Sequence, residues 1–385
     1  MSVEKFLSRS ISGILKRLLS VEENKSFDLV PEGSIQRTPK NFIIIRQHNQ
    51  LGDLLAGVSL FRAIKETYPQ SNITLIVSPA NYSGIIKNKF VDSIFVFDKK
   101  KIYNPLYFAR FIKLLRKRYD VAIVPVVVSI SFTSNLLARI ANAKVRIGAE
   151  KLNGKTNDSS YFFDRRVVLD WRKHPDSNVS ERSLDIVRPF GINTNNFKSE
   201  ISFDAHDEKA AEEFLISLGC NNEALIGLHV GAGKAQNMWS LNKYAELIKR
   251  LNEKYKAKFY LTGSRTDKEV IAFITKRLNF SVGSFLNRQI PEVAALISKS
   301  DLFISNDTGI MHVAGATNTP QISIFGPTNP FNWAPIGENK YFIRKSELID
   351  DVEVEDVFKM CQLILSARTA ETSAKPAGLP TGQST

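Results

Sequence analysis

What constrains this chain most is an alternation. Short runs of apolar and β-branched residues are each followed by a stretch of helical periodicity, and the cycle runs twice. Residues 41–46 read as a strand and 54–68 as a helix, with Leu55, Val58, Leu60, Phe61 and Ile64 on its inner side. A strand at 73–77, a helix near 82–88, a strand at 93–97, a basic amphipathic helix at 106–118 and a strand at 121–127 follow. Residues 150–200 break the rhythm, being polar, mixed in charge and interrupted by Pro175 and Pro189. The pattern restarts with strands at 224–229 and 258–262, separated by a helix at 242–255. Helices at 267–278 and 291–299, a strand at 301–305, a helix at 309–316 and a strand at 320–325 complete it. Such a pattern predicts an α/β chain of parallel sheets covered by helices on both faces. Two Rossmann-like halves facing each other across a cleft are the economical arrangement, with ligands beyond the carboxyl ends of the strands.

The length, 385 residues, suits two domains. Hydrophobic residues at 43% and charged residues at 24% exclude a wholly disordered chain. Two cysteines, Cys220 and Cys361, exclude a disulfide scaffold and a four-thiolate zinc site. No secretory signal is expected, because Arg9, Lys16 and Arg17 interrupt the apolar N-terminus. The spacing of Ile11, Ile14, Leu15, Leu18 and Leu19 is that of a one-sided helix. It either lies on an anionic membrane or packs on the domain body. The charge-free run at 121–138 is broken by Pro125 and by Ser129, Ser131, Thr133, Ser134 and Asn135. It reads as a buried strand, loop and helix rather than a membrane span. The expected division is an amphipathic segment and linker at 1–40, one Rossmann-like domain at 41–200, a second at 201–365, and a disordered tail at 366–385.

Charge is unevenly placed. Residues 1–200 hold 32 Lys and Arg against 18 Asp and Glu, a net of +14; the remainder holds 20 against 21, a net of −1. The first half therefore suits an acidic partner, whether a phosphorylated glycan, an anionic lipid surface or nucleic acid, unless the excess serves solubility alone. Lys99, Lys100, Lys101, Lys113, Arg116, Lys117 and Arg118 are candidate contacts, against the alternative of a solvated helix face. No aromatic-and-basic recognition motif accompanies them, so a nucleic-acid partner is not expected.

Four motifs sit where strands end. In Arg46-Gln47-His48-Asn49-Gln50-Leu51-Gly52-Asp53, Gly52 permits a tight turn, and Asp53 is either a helix N-cap or a general base facing the other domain. The motif is not a GxGxxG fingerprint, which argues against dinucleotide binding in the first half. In His229-Val230-Gly231-Ala232-Gly233-Lys234, the glycines allow close backbone approach to a phosphate and Lys234 adds charge, although a plain strand-to-loop turn has the same composition. In Ser305-Asn306-Asp307-Thr308-Gly309-Ile310-Met311-His312, the amides of Thr308 and Gly309 would open a helix and suit a diphosphate. His312, one turn in, is either a ligand contact or a buried helix histidine. Phe325-Gly326-Pro327-Thr328-Asn329-Pro330, followed by Trp333, makes a rigid loop at the cleft edge. Asn306-Asp307 is not an Asp-x-Asp motif and no His/Cys cluster has ligand spacing, so neither a metal nor a cofactor is expected.

Taken in this order, the motifs resemble glycosyltransferase family nine, the lipopolysaccharide heptosyltransferases. The resemblance rests on residues 46–53 with Ala63-Ile64-Lys65 and Tyr68-Pro69 behind them, on 229–233, Trp239 and Leu261-Thr262-Gly263. It continues with 306–309, His312, Ala314, Ala316, 325–328 and Trp333, and spans about residues 41–345. It implies a GT-B fold and inverting, metal-independent transfer of a sugar from a nucleotide-diphosphate donor, ADP-heptose being the best-known case. The acceptor it implies is a phosphorylated glycolipid or glycan of the lipopolysaccharide core. The implied location is the cytoplasm, peripheral on the inner face of the cytoplasmic membrane. By position Asp53 matches the general base, and Thr308 and Gly309 the diphosphate site. Gly231, Ala232, Gly233, Lys234, Asp307 and His312 match donor contacts, and Asp267 an acidic residue toward the ribose. One position departs: where the family commonly has Lys or Arg two residues before the tryptophan, this chain has Asn237. Asn49-Gln50 also differ from the family's usual residues. The alternatives are an epimerase-like GT-B enzyme and a glycan-binding module with a decayed donor site.

Overall fold

The computed structural model describes residues 13, 16–29, 38–47, 49–221 and 223–374. Two sheets organise it. The first is built from β1 (Asn41–Arg46), β2 (Asn72–Val77), β3 (Ser93–Val96), β4 (Tyr119–Ile123), β5 (Ala143–Leu152), β6 (Lys155–Thr156) and β7 (Arg165–Leu169). Its order is β3-β2-β1-β4-β5, with β7 parallel and β6 antiparallel to β5. The second holds β8 (Leu225–His229), β9 (Lys258–Gly263), β10 (Gly283–Leu286), β11 (Leu302–Asn306), β12 (Gln321–Ile324) and β13 (Lys340–Ile343). All its pairings are parallel, in the order β10-β9-β8-β11-β12-β13. Both sheets thus reverse direction beside their first strand, between β1 and β4 and between β8 and β11. These are the switch points at which doubly wound sheets bind ligands.

The helices in chain order are α1 (Leu51–Ala56), α2 (Val58–Thr67), α3 (Pro105–Leu115), α4 (Phe132–Ile140), α5 (Val179–Arg182) and α6 (Ala205–Leu218). They continue with α7 (Leu241–Tyr255), α8 (Lys268–Thr275), α9 (Ile290–Ser298), α10 (Gly309–Gly315), α11 (Pro330–Trp333) and α12 (Val354–Ala374). The central strands are buried on both faces, as Phe42, Ile43, Ile44 and Ile45 of β1 show. That is why they read as continuous apolar runs. No helix among the described residues is long and apolar enough to cross a membrane; the run at 121–138 is divided between β4, a loop and α4.

Several expectations need correction. The single helix expected at 54–68 is two, broken at Gly57, and it begins earlier, at Leu51. The helix near 82–88 is only a short 3-10 turn, Tyr82–Gly84. The stretch at 150–200 carries the end of β5, a hairpin and β7; Asn153 (φ 49°) and Gly154 (φ 81°) supply the two left-handed residues of the β5–β6 turn. Residues 20–29 are no free linker. Val21 and Asn24 donate backbone hydrogen bonds to Tyr161 and Asp164, and Leu29 is buried in the first core. The tail expected from Ser366 continues α12 to Ala374. Ile11, Ile14 and Leu15 of the amphipathic stretch, residues 30–37 of the expected linker, His48 of the first motif and residues 375–385 lie outside the described residues.

Candidate functional site

The site is assembled where the two switch points meet. After β1 the chain turns into α1, whose N-cap is Gln50 and whose first turn holds Asp53. Asp53 is therefore not the cap. Its carboxylate is buried and faces Arg46 at the end of β1, with Nη2 3.5 Å from Oδ2. Arg46 also donates to the Pro125 carbonyl after β4 (3.3 Å). The Gln50 amide, oriented nitrogen-first, donates to Oδ2 (2.9 Å) and Oδ1 (3.2 Å). Burial pushes the Asp53 carboxyl above its ordinary range, and Arg46 opposes the rise. Arg46 itself is lowered by burial and held up by Asp53. The outcome is a carboxylate with higher proton affinity than a solvated one, as a general base needs.

Helix α1 belongs to the first domain by sequence but packs into the second. Leu55 is fully buried with Leu225, Tyr260, Phe303 and Val313 of the second sheet's core. A Cβ on Gly52 would stand 2.5 Å from the His312 ring, so only glycine lets α1 approach α10 this closely. His312 is enclosed there with Trp333 edge-on at 6.3 Å. Burial lowers its pKa to about 4, so it is neutral near pH 7.

Across this seam a cavity of about 360 Å³ opens at the carboxyl ends of β8, β9, β10 and β11. Its walls include Ala232 and Gly233 after β8, Thr262 and Gly263 at the end of β9 with Ser264 and Asp267 after it, Asn287 and Arg288 after β10, and Thr308 to Ile310 after β11. Leu51 closes it from the opposite domain. Asp267 is held by the Ser264 amide (2.7 Å) and hydroxyl (2.8 Å). A Cβ on Gly231 would meet its Oδ1 at 2.4 Å. His229, also in the wall, bonds through Nδ1 with the Thr262 carbonyl and hydroxyl, both at 3.0 Å; its pKa is lowered by burial, with Asp267 opposing. Thr308 has a buried hydroxyl with no partner among the described residues.

Asn306 ties these loops together. Its amide donates to the carbonyls of Val230 and Gly231 (3.1 Å each), and its oxygen accepts from the Trp239 amide (3.2 Å) and the Tyr244 hydroxyl (2.9 Å). Asn237, at the departing position, is buried and donates to the Asp307 carboxylate at 3.0 Å. Burial raises the Asp307 pKa, while Thr328 and Lys234 lower it.

The expected residues thus fall into three places. Ala232, Gly233, Asp267, Thr308 and Gly309 line the cavity. Gly231, Lys234, Asp307 and His312 stand behind or beside its wall, and Asp53 two residues from Leu51. Lys99, Lys100, Lys101, Arg116, Lys117 and Arg118 are exposed on a turn and at the end of α3, and none borders the cavity. Thr262, Ser264, Asn287 and Arg288 were not anticipated. The strand-end rule would have found Asn287 and Arg288 had β10 been recognised; Thr262 and Ser264 lie at the end of β9, the strand already read at 258–262.

With this geometry in hand, comparison with known proteins is specific. The family model for glycosyltransferase family 9 (heptosyltransferase) matches residues 108–361. The span begins after α1, so Asp53 lies outside it. Lipopolysaccharide heptosyltransferase 3 of Escherichia coli is 24% identical over 295 residues, 75% of this chain and 84% of its own length. Lipooligosaccharide heptosyltransferase 2 of Haemophilus influenzae is 27% identical over 327 residues, covering 79% and 89%. Among solved structures, a family 9 glycosyl transferase from Veillonella parvula superposes with a TM-score of 0.74 at 18% identity, over 85% of this chain and 98% of that one. The E. coli ADP-heptose lps heptosyltransferase II gives 0.69 at 19% identity, over 85% and 99%. The fold is the GT-B arrangement of two Rossmann-like domains about a cleft. Since the family model covers well over half of the chain, this protein belongs to glycosyltransferase family 9, the heptosyltransferase family, and is a glycosyltransferase using a nucleotide-sugar.

Proposed function

We propose that the chain transfers a heptose from ADP-heptose to a phosphorylated glycolipid of the lipopolysaccharide core, with inversion and without a metal, at the inner face of the cytoplasmic membrane. The observation that carries this reading is the position of α1. One of its residues, Leu51, walls the cavity, and another, Asp53, holds a buried carboxylate with raised proton affinity. The donor occupies the cavity, its nucleoside toward Asp267 and Asn287 and its diphosphate toward the amides of Thr308 and Gly309. Helix α10 has only seven residues, so these local amides and the free Thr308 hydroxyl supply the stabilisation, not a long macrodipole. Asp53 takes the proton of the acceptor hydroxyl as that oxygen attacks the anomeric carbon. The C–O bond to the diphosphate breaks on the opposite face, and the departing charge is met by those amides and by Lys234. Relatives named for heptose transfer to lipopolysaccharide, and a related E. coli enzyme solved with ADP, support the choice of donor and acceptor.

Asp53→Asn tests this. Transfer should fall by at least about a hundredfold, the usual worth of a general base, while thermal stabilisation by ADP persists. Retained turnover would remove Asp53 from the mechanism. Stabilisation by another nucleoside diphosphate in preference to ADP would replace the donor.

A further inference from the structure

The mechanism leaves one strongly charged surface unused. Residues 99–118 contain eight Lys and Arg and no Asp or Glu. All eight are exposed, and none of them forms an ion pair among the described residues. The same segment exposes apolar side chains: Tyr103 is 90% exposed, Leu106 75% and Phe108 46%. Helix α3 is held by its other face, where Phe111 and Leu115 are buried against Ile43, Ile76 and Phe97. Its outward face bears a shallow groove with Phe108, Ala109 and Ile112 as floor and Lys113, Arg116 and Lys117 as rim. The turn Lys99–Lys101, which precedes α3, follows β3 at the carboxyl edge of the first sheet. That is the edge from which α1 and Asp53 also leave.

We infer that this surface docks the enzyme on an anionic lipid bilayer, with Tyr103, Leu106 and Phe108 entering the interface and the surrounding cations meeting lipid phosphates. Unpaired cations alone would suit any polyanion. Exposed apolar side chains projecting among them are disfavoured against a nucleic-acid backbone and favoured at a headgroup boundary. Docked on this edge, α1 faces a membrane-anchored acceptor without the enzyme having to leave the surface. The link to catalysis rests on the lipid-linked acceptor proposed above. Docking itself is measured without donor or acceptor, so it succeeds or fails independently of transfer.

The test is flotation of the full chain with phosphatidylcholine vesicles, with and without phosphatidylglycerol, over a salt series. The chain should float only with the anionic vesicles. Arg110→Glu with Lys113→Glu should weaken binding by more than about tenfold and flatten the salt dependence. Tyr103→Ser with Leu106→Ser should weaken it at high salt, where the apolar part remains. These side chains are exposed, so melting temperatures should match the parent and exclude misfolding as the cause. Equal binding to both vesicle types, unchanged binding by both variants, or tight binding to single-stranded RNA with none to vesicles would each overturn the proposal.

Discussion

Asp53 and Arg46 set each other's charge. Burial raises the proton affinity of the carboxylate; the guanidinium 3.5 Å away offsets part of that rise. As the proposed base, Asp53 acts only when ionised, so activity should fall as pH drops through its pKa. The acidic limb of kcat should accordingly lie above the ordinary carboxylate value of 3.8. Arg46→Met removes the opposing charge and should move that limb to higher pH, with Arg46→Lys reversing most of the change. A limb that stays put in Arg46→Met would show that Arg46 holds the Pro125 loop and nothing more. At the same scale, Asn237 stands where a cation was expected and instead donates to Asp307. The carboxylate remains hydrogen-bonded, so the substitution has not emptied this corner.

Elements show what was legible beforehand and what was not. Strands β1, β8, β9, β11 and β12 announced themselves as apolar runs because both their faces are buried. Strands β10 and β13, four residues long and half-exposed at sheet edges, did not register, although β3, equally short and at an edge, did. The Asn153-Gly154 pair was a readable hairpin signal obscured by the polar composition around it. Helix α6 opens with a capping box from Asp204 to Asp207 that reading for Glu or Gln alone passes over. The cavity's main loops were located from motifs, but Leu51 enters it from the other domain through folding that no local pattern encodes. Asn306 is the clearest case of an element-level pin, joining β11 to the loop after β8 and to α7 through four hydrogen bonds. Asn306→Ala leaves buried groups on all of them without partners. It should cost about 2–4 kcal/mol in urea denaturation and weaken ADP binding, because the loop carrying Ala232 and Gly233 is released. A loss below about 1 kcal/mol with full ADP affinity would deny the pin that role.

For the whole molecule, Asp53 and the cavity share one alignment because α1 belongs to the first chain half and packs on the second. Gly52 against the His312 ring, and Leu55 within the second core, fix the relation between the domains at the residues beside Asp53. His312 makes that seam sensitive to acid. Burial holds its pKa at about 4 against an ordinary 6.5, so the unfolded chain takes up this proton first as pH falls. The stability that His312 contributes as a neutral ring is therefore complete above pH 6.5 and lost progressively between 6.5 and 4. A shift of this size corresponds to something on the order of 3 kcal/mol. His312→Gln does not titrate. The parent should lose more stability than this variant between pH 7 and 4, and the gap should open below 6.5, where carboxylates common to both proteins cancel in the comparison. Parallel stability curves for the two proteins across that window would mean that the ring is protonated equally in the folded and unfolded states, and that the seam between Gly52 and Trp333 is open to water.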